Sequence, residues 1–370
     1  MTQLVTTCSS VLSSQYLSIK KVVLLAVLLI LTACGSEQNE SATANDRSSS
    51  VLLLKGAGST FISPLMWQWI EDYKTIEPNL AVDYQAVGSG KGIDRFMSGE
   101  VHFGASDAAM NDREIAQVQP PEGRGVKLIP VAAGEVVVAY NIPGLDGMLS
   151  LPREVYADIF LGRITQWNDE RLVAANPQLN LPERQIQVVA RLDSSGTTFA
   201  FTNHLSSISP SWRSGPGTSK LVDWPGSTMV ASGNEGVAQK IKISNYSIGY
   251  VEYGFAKRLG LAMAALENQQ GNFVAPGSES GKFALASALE SVPDDLRLFL
   301  PDPAGDGSYP IVSLVWLLLP RIYPEPRVEN ALTSMVDWLI TQGQTQSEAM
   351  GYVPLPDNLV GLARQSLGEH

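Results

Sequence analysis

Three short segments rich in glycine, serine and threonine have the residue types needed to bind an anion. They are Gly56–Phe61, Gly88–Gly92 and Arg191–Phe199, and each lies where a predicted strand gives way to a helix. Backbone N–H groups at a helix start have no partner within the helix, and the helix dipole favours negative charge there. Glycine lets the backbone approach a ligand closely, and the hydroxyls add donors. Brought together, the three segments would form a donor-rich pocket for an oxyanion.

Two charged positions would make this pocket selective. Asp107, within Gly104–Ala108, follows a short predicted strand and by itself could simply cap a turn. In an anion pocket its carboxylate would accept a hydrogen bond from phosphate, which keeps a proton at neutral pH, and would repel fully ionised sulfate. Arg191 is a suitable cation because a guanidinium offers paired donors, and Asp193 could hold it in place. The alternative for these two residues is a surface ion pair of little consequence.

Nucleotide-binding motifs fit the same segments poorly. The run Gly56–Phe61 begins like a dinucleotide fingerprint, but Phe61 occupies a position where glycine or alanine belongs. Lys91 resembles a Walker lysine, but Gln85 stands at the first glycine of that motif and Gly92 replaces its Ser/Thr. We therefore reject both motifs.

A serine hydrolase or phosphatase is the alternative from another class of protein, because Ser195 lies close to an acidic residue. No G-x-S-x-G elbow is present, and the nearest stretch has Glu279 at its centre. The histidines are His102, His204 and His370, and a single helical histidine such as His204 is more often structural. No His/Cys/Asp cluster has the spacing of metal ligands. We expect no catalytic residue, no metal and no cofactor.

The N-terminal residues resemble the leader of a bacterial lipoprotein. Two lysines precede the apolar run Val22–Leu31, which is too short for a membrane-spanning helix of about 20 residues but fits a signal-peptide core. It ends in Leu31–Cys34, which is similar to a lipobox; a buried helix with a chance cysteine is the alternative. We predict a signal peptide over residues 1–33, a lipid on Cys34 and a polar tether over residues 34–50. The protein would then be held, by the lipid alone, at the periplasmic or extracellular face of a bacterial membrane.

The balance of charge argues against one class of partner. The chain has 26 Lys and Arg against 37 Asp and Glu, a net charge of −11. Nucleic-acid binding depends on basic side chains that replace counterions along the phosphates, so we expect no nucleic-acid partner. With 44% hydrophobic and 17% charged residues, the chain is typical of a globular protein, and its 370 residues suit two domains.

Hydrophobic periodicity indicates the elements that would position the three segments. Apolar residues recur at helical spacing after Ser63-Pro64, and strands then alternate with helices along the chain. The predicted strands include Leu80–Ala86, Val126–Ala132, Glu135–Ile142, Ile186–Ala190, Ile248–Tyr253 and Ile311–Leu319, and the predicted helices include Pro152–Phe160, Val328–Ile340 and Asp357–Leu367. This alternation predicts the α/β class.

Two apolar strands have the character of connections between two lobes. They lie near Glu135–Ala139 and Ile311–Leu318, at the edges of a central block of sequence. We therefore predict that residues 51–136 and 313–370 form one lobe and that residues 137–312 form the other.

The three segments and the Asp107 turn resemble the phosphate-binding receptor family of bacterial high-affinity phosphate ABC importers. The likeness runs from about Gly56 to the C-terminus and continues outside the pocket in Asn141–Leu145, Gly233–Gly236 and Ile248–Tyr253. The resemblance implies the type II periplasmic-binding-protein fold, in which two α/β lobes joined by crossover strands close around the ligand. It also implies a monomer that delivers inorganic phosphate to the permease and ATPase subunits of an importer.

The resemblance further assigns a role to each residue of the pocket. The implied phosphate ligands are Thr60, Phe61, Ser89, Asp107, Arg191, Ser195, Gly196 and Thr197. Asp107 would accept the phosphate proton, Arg191 would supply positive charge, and the others would donate from N–H groups and hydroxyls. Asp193 would support Arg191 without contacting the ligand. Lys91 departs from the small residues of many relatives, and we expect it to point to solvent because lysine is strongly hydrated.

Two related hypotheses stay open beside this one. A receptor for sulfate, molybdate or tungstate would share the donor-rich pocket, but the Asp107 carboxylate would face a fully ionised oxyanion unfavourably. A lipoprotein that senses or stores phosphate without a transporter would have the same pocket, and the residues do not separate it from an import receptor.

Overall fold

The computed structural model describes residues 51–119 and 124–368. The predicted signal peptide, Cys34 and the tether lie outside the described residues. The strands are β1 Leu52–Gly58, β2 Leu80–Ala86, β3 Phe103–Ser106, β4 Lys127–Asn141, β5 Ser150–Leu151, β6 Gln187–Arg191, β7 Met229–Ala231, β8 Ser247–Glu252, β9 Ala262–Met263, β10 Ala265–Glu267, β11 Phe273–Val274 and β12 Val312–Leu319. The α-helices are α1 Ser63–Ile76, α2 Ser89–Met97, α3 Asp112–Gln117, α4 Arg153–Phe160, α5 Glu170–Ala175, α6 Gly196–Ile208, α7 Pro210–Ser214, α8 Gly233–Ile243, α9 Tyr253–Arg258, α10 Ser278–Ala286, α11 Pro326–Ile340 and α12 Asp357–Gly368. Among these helices, none has both the length and the apolar character required to cross a membrane.

The largest sheet has the strand order β2-β1-β3-β12-β4-β8-β6-β7, and β9 also pairs with β4. Strand β4 changes partner along its length, because residues 127–135 pair with β12 and residues 136–141 pair with β8. We call the part from β2 to residues 127–135 of β4 the first half-sheet, and the remainder the second half-sheet. The alternation of strands and helices confirms the predicted α/β class.

The long strand β4 differs from the sequence expectation, which placed two strands at Val126–Ala132 and Glu135–Ile142. Ala133 and Gly134 interrupt the apolar pattern, but both stay in register with residues of β12. The backbone ladder therefore runs through them without a break, since pairing with a neighbouring strand does not require a large side chain. The prediction of two separate strands is wrong for this tertiary reason.

The ends of the parallel strands determine where the helices begin. Strands β1, β2 and β3 run parallel in the first half-sheet, and β6, β7 and β8 run parallel in the second. Helices α1 and α2 follow β1 and β2, while α6 and α8 follow β6 and β7. The N-termini of these four helices therefore lie at the carboxyl edges of the two half-sheets. The Gly90 N–H donates to the Ser194 carbonyl at 3.0 Å, so the two edges are in contact.

Two buried carboxylic acids lie where β4 changes partner. Glu135 is the last residue of β4 that pairs with β12. The next residue of β4, Val136, pairs with Glu252 on β8. The Glu135 carboxylate accepts hydrogen bonds from the Ser280 hydroxyl and the Gly277 N–H, both at 2.7 Å. Burial raises the pKa of Glu135 to about 8, and it likewise raises the pKa of Glu252 to about 8. Both side chains therefore keep a proton over much of the neutral range.

Because the pKa values of these two acids are raised, we expect their contribution to stability to decline with rising pH. The folded protein holds protons on these two acids that the unfolded chain releases near pH 4.5, so their contribution to stability is complete below that pH and is lost as the pH rises towards about 8. We expect Glu135→Gln, which keeps the shape and cannot ionise, to remove up to about 1.4 kcal/mol per pH unit of this decline. Denaturant unfolding between about pH 5 and about pH 8 measures it. Glu71→Gln, at an exposed position of α1, is the control. The prediction would be refuted if the free energy of unfolding changed with pH by the same slope in the parent protein and in both variants.

Candidate functional site

The Asp107 carboxylate lies at the centre of the predicted pocket and is almost fully buried, with 2% of the residue exposed. Its Oδ1 accepts a hydrogen bond from the Ser89 hydroxyl at 2.6 Å, and its Oδ2 accepts one from the Thr197 hydroxyl at 3.0 Å. Ser89 begins α2 beside the first half-sheet, whereas Thr197 lies in the first turn of α6 beside the second. One carboxylate therefore joins two of the three segments that the sequence singled out.

The Arg191 guanidinium lies on the opposite side of Thr197 and is also buried, with 3% of the residue exposed. It binds the Asp193 carboxylate through two hydrogen bonds of 2.8 and 2.5 Å, and its Nη1 donates to the Thr197 hydroxyl at 3.3 Å. Burial acts to raise the pKa of Asp193, but the bonds and charge of Arg191 outweigh this effect and lower it. The alternative of an inconsequential surface pair is excluded by the burial of the guanidinium.

The start of α6 supplies backbone donors beside these charges. Ser195 is the N-cap, and its hydroxyl accepts from the Thr198 N–H at 3.1 Å. The Ser195 N–H donates to the Lys220 carbonyl at 2.8 Å, so the hydrogen of the Ser195 hydroxyl is the donor left for a ligand. Gly196 and Thr197 follow as the first two helical residues, whose N–H groups have no acceptor inside the helix.

Glycine at position 196 allows this helix start to approach the carboxylate. A Cβ atom built there would lie 2.4 Å from Cγ of Asp107 and 2.6 Å from the Ser89 hydroxyl. Real Cβ atoms do not tolerate such distances, so any larger residue would push α6 away from Asp107. The close packing of two segments thus depends on this glycine.

The third segment contributes Thr60 and Phe61 from the loop between β1 and α1. The Phe61 side chain is fully buried, and its N–H donates to the Ser59 hydroxyl at 3.0 Å. Because the Phe61 side chain has no polar atom, only the backbone N–H of this residue could donate to an oxyanion. The Thr60 hydroxyl accepts hydrogen bonds from the N–H and the side-chain amide of Asn234, at 3.2 and 3.1 Å.

Asn234 is a residue of the site that the sequence reasoning missed. The family resemblance places it outside the pocket, within Gly233–Gly236, but the structure buries it fully between Thr60 and Thr197. A signal was present, because α8 begins at a glycine directly after the short strand β7, as the other site helices begin after strands. Strand β7 has only three residues, too few for periodicity to reveal it.

The chain is similar to known proteins over most of its length. A family model described as a PBP superfamily domain matches residues 36–342. The phosphate-binding protein PstS of Xylella fastidiosa (strain Temecula1) is 36% identical over 330 residues, which cover 89% of this chain and 88% of that protein. The phosphate-binding protein PstS of Haemophilus influenzae is 38% identical over 308 residues, covering 83% and 90% of the two chains. The chain belongs to the PstS family of this superfamily.

Solved structures extend the likeness to the fold. The phosphate-binding protein of Stenotrophomonas maltophilia has a TM-score of 0.68 at 18% identity, covering 85% of this chain and 93% of that one. The periplasmic phosphate-binding protein PfluDING has a TM-score of 0.67 at 20% identity, with the same coverage. The predicted two-lobed type II fold with crossover strands is confirmed, as expected of a member of the PstS family.

A cavity of about 320 Å³ opens beside the Thr60 and Asp193 side chains. Its lining includes Trp67 and Lys91 near the first half-sheet and Glu235 near the second. Lys91 is exposed, in keeping with the expectation that it points to solvent, but it also borders this opening. The mouth of the site therefore carries charges of both signs.

His204 gives no support to the hydrolase alternative that Ser195 suggested. His204 is fully buried on α6, where its Nε2 lies 2.6 Å from the Tyr156 hydroxyl and its Nδ1 lies 2.6 Å from the Pro301 carbonyl. Burial lowers the pKa of His204 to about 4. Within residues 51–119 and 124–368, no group of acidic, histidine or cysteine side chains could hold a metal ion. The PstS family consists of solute-binding proteins, and this histidine has the surroundings of a structural residue.

Proposed function

We propose that this protein binds one inorganic phosphate ion at the pocket around Asp107 and delivers it to an ABC importer. The observation that carries the proposal is a buried carboxylate and a buried guanidinium on either side of the Thr197 hydroxyl. The guanidinium and the helix start suit an oxyanion, whereas the carboxylate requires a ligand that can donate a proton. Phosphate at neutral pH meets both requirements.

The phosphate ligands that we propose are Thr60, Phe61, Ser89, Asp107, Arg191, Ser195, Gly196 and Thr197. The Ser89 and Thr197 hydroxyls, which donate to Asp107 in the structure, can rotate to donate to phosphate oxygens. Asp107 is then released to accept the phosphate proton. Asp193 holds the Arg191 guanidinium in the plane needed for paired hydrogen bonds.

We further propose that the binding site closes between two lobes, formed by residues 51–136 with 313–370 and by residues 137–312. Two observations support these bounds. Strand β4 changes partner between Glu135 and Val136, and the Val136 N–H donates to the Ile311 carbonyl at 2.9 Å. Both connections between the lobes therefore lie side by side, which is the arrangement of a hinge.

The remaining proposals concern the location and the partners of the protein. We propose that residues 1–33 are a signal peptide, that Cys34 is lipidated and that residues 34–50 tether the protein to the outer face of a bacterial membrane. A monomer held in this way would meet the permease and ATPase subunits of its importer, and it would have no catalytic activity. Mass spectrometry of the mature protein would test the anchor: an unmodified Cys34 would refute it.

Titration calorimetry with phosphate and sulfate tests the ligand. We expect one phosphate to bind per chain and the affinity for sulfate to be at least about hundredfold lower. Sulfate has no proton to donate, so the Asp107 carboxylate would repel it. Equal affinities, or no binding of phosphate, would refute the proposal.

Phosphate uptake by cells lacking the protein would test delivery, since unchanged uptake at low phosphate would leave only a sensing or storage role.

A substitution at the helix start should weaken binding by steric pressure alone. We expect Gly196→Ala to lower the phosphate affinity about tenfold, because its methyl group would overlap the Asp107 carboxyl and force the two segments apart. Titration calorimetry measures the change. Gly361→Ala on α12, where nothing lies within 4 Å of the added carbon, is the matched control and should bind phosphate normally. Equal affinities for the two variants would contradict the prediction.

A further inference from the structure

The Asn234 side chain connects both lobes of the proposed site, and all of its polar atoms are engaged. It is fully buried at the start of α8. Its Oδ1 accepts the Glu252 N–H at 3.0 Å. Its Nδ2 donates to the Thr60 hydroxyl and to the Thr197 hydroxyl, each at 3.1 Å, and its own N–H also donates to Thr60 at 3.2 Å.

The orientation of this amide is determined by its surroundings. The Glu252 N–H can only donate, so the oxygen of the Asn234 amide must face it. The amide nitrogen then faces the two threonines, and its two hydrogens supply one bond to each hydroxyl. A flipped amide would place a donor against a donor at Glu252.

These bonds restrict what the threonine hydroxyls can do. A hydroxyl has one hydrogen and two lone pairs. The Thr60 oxygen accepts two hydrogen bonds from Asn234, so only its hydrogen is left for a ligand. The Thr197 oxygen accepts from Asn234 at 3.1 Å and from Arg191 at 3.3 Å, and its hydrogen points to Asp107. Both hydroxyls are therefore available only as donors.

We propose that Asn234 is a positioning residue that sets the Thr60 and Thr197 hydroxyls as donors to the bound oxyanion. Thr60 follows β1 in the first half-sheet, whereas Asn234 follows β7 in the second, so their contact forms only when the cleft is closed. Closure thus changes Thr60 from a group that can accept or donate into a donor. This inference rests on the proposed function, because it specifies how that same site recognises phosphate.

The test is a double-mutant cycle of Asn234→Asp and Thr60→Val, followed by phosphate titration calorimetry. Aspartate has nearly the shape of asparagine, but its carboxylate only accepts, so both threonine hydroxyls would turn towards it and away from the ligand. We expect Asn234→Asp to weaken phosphate binding at least about thirtyfold. We expect Thr60→Val to cost about tenfold in the parent protein but less than about twofold beside Asn234→Asp, because that hydroxyl has already stopped donating.

Each outcome distinguishes the proposal from its competitors. If the new carboxylate of Asn234→Asp acts only by repelling phosphate, or if Asn234 has only a structural role, the cost of Thr60→Val will be the same in both backgrounds. This result would overturn the inference. Binding of Asn234→Asp within about threefold of the parent would overturn it as well. Absence of phosphate binding in the parent protein would instead refute the proposed function, and the inference with it.

Two further variants guard against loss of the fold. Asn176→Ala removes another fully buried amide, which donates to the Ser150 and Leu172 carbonyls at 2.9 Å away from the site. It should lower the melting temperature and leave the phosphate affinity unchanged. If Asn234→Asp does not fold, Asn234→Ala replaces it in the cycle. A full cost of Thr60→Val beside Asn234→Ala would then overturn the inference.

Discussion

Replacing Arg191 with alanine is expected to weaken phosphate binding about thousandfold, which corresponds to about 4 kcal/mol. The guanidinium is buried, and it supplies positive charge beside two acidic side chains of the pocket, Asp107 and Asp193. Its removal would leave the Asp193 carboxylate without its positively charged partner, and the phosphate charge would lose its counterion. Titration calorimetry on the purified variant measures the loss.

Two variants separate the role of Arg191 from a general change of charge. Arg113→Ala removes one positive charge from an exposed position of α3 and should bind phosphate normally. Arg191→Lys keeps the charge but lacks the planar pair of donors, so it should recover only part of the affinity. A loss for Arg191→Ala no larger than that for Arg113→Ala would place the guanidinium outside the binding site.

Asp107→Asn is expected to reduce the preference for phosphate over sulfate about hundredfold, because a hydrogen bond to a charged group is worth about 1.5–3 kcal/mol. In the proposed site the carboxylate would accept the phosphate proton, whereas an amide in its place could turn its nitrogen towards the ligand and donate to either oxyanion. Phosphate should therefore bind more weakly and sulfate more tightly than in the parent protein. Titrations with both ions on one preparation give the ratio directly.

The control for this prediction is an acid of the same type outside the pocket. Asp94→Asn on α2 makes the same change at an exposed position and should leave both affinities unaltered. A phosphate-to-sulfate ratio in Asp107→Asn equal to that of the parent would remove Asp107 from its assigned role.

Local signals in the sequence account for part of the fold and part of the candidate site. The sequence by itself predicted the α/β class, the three anion-binding segments and the pairing of Arg191 with Asp193. Each depends on neighbours in the chain. The periodicity of strands and helices repeats within a few residues. Arg191 and Asp193 are only two residues apart, so their side chains can meet without help from distant segments. The three segments could be recognised because each combines glycine and hydroxyl residues at a predicted helix start after a strand.

Contacts between distant parts of the chain were decided only by the tertiary structure. Asn234 and Thr60 are 174 residues apart, and Asp107 and Thr197 are 90 residues apart, so no local pattern brings them together. The single strand β4 and the buried Glu135 at its change of partner likewise depend on β12, which is near the other end of the chain. Burial and hydrogen-bond direction are properties of these packed contacts, and they determine which of the candidate donors and acceptors face a ligand.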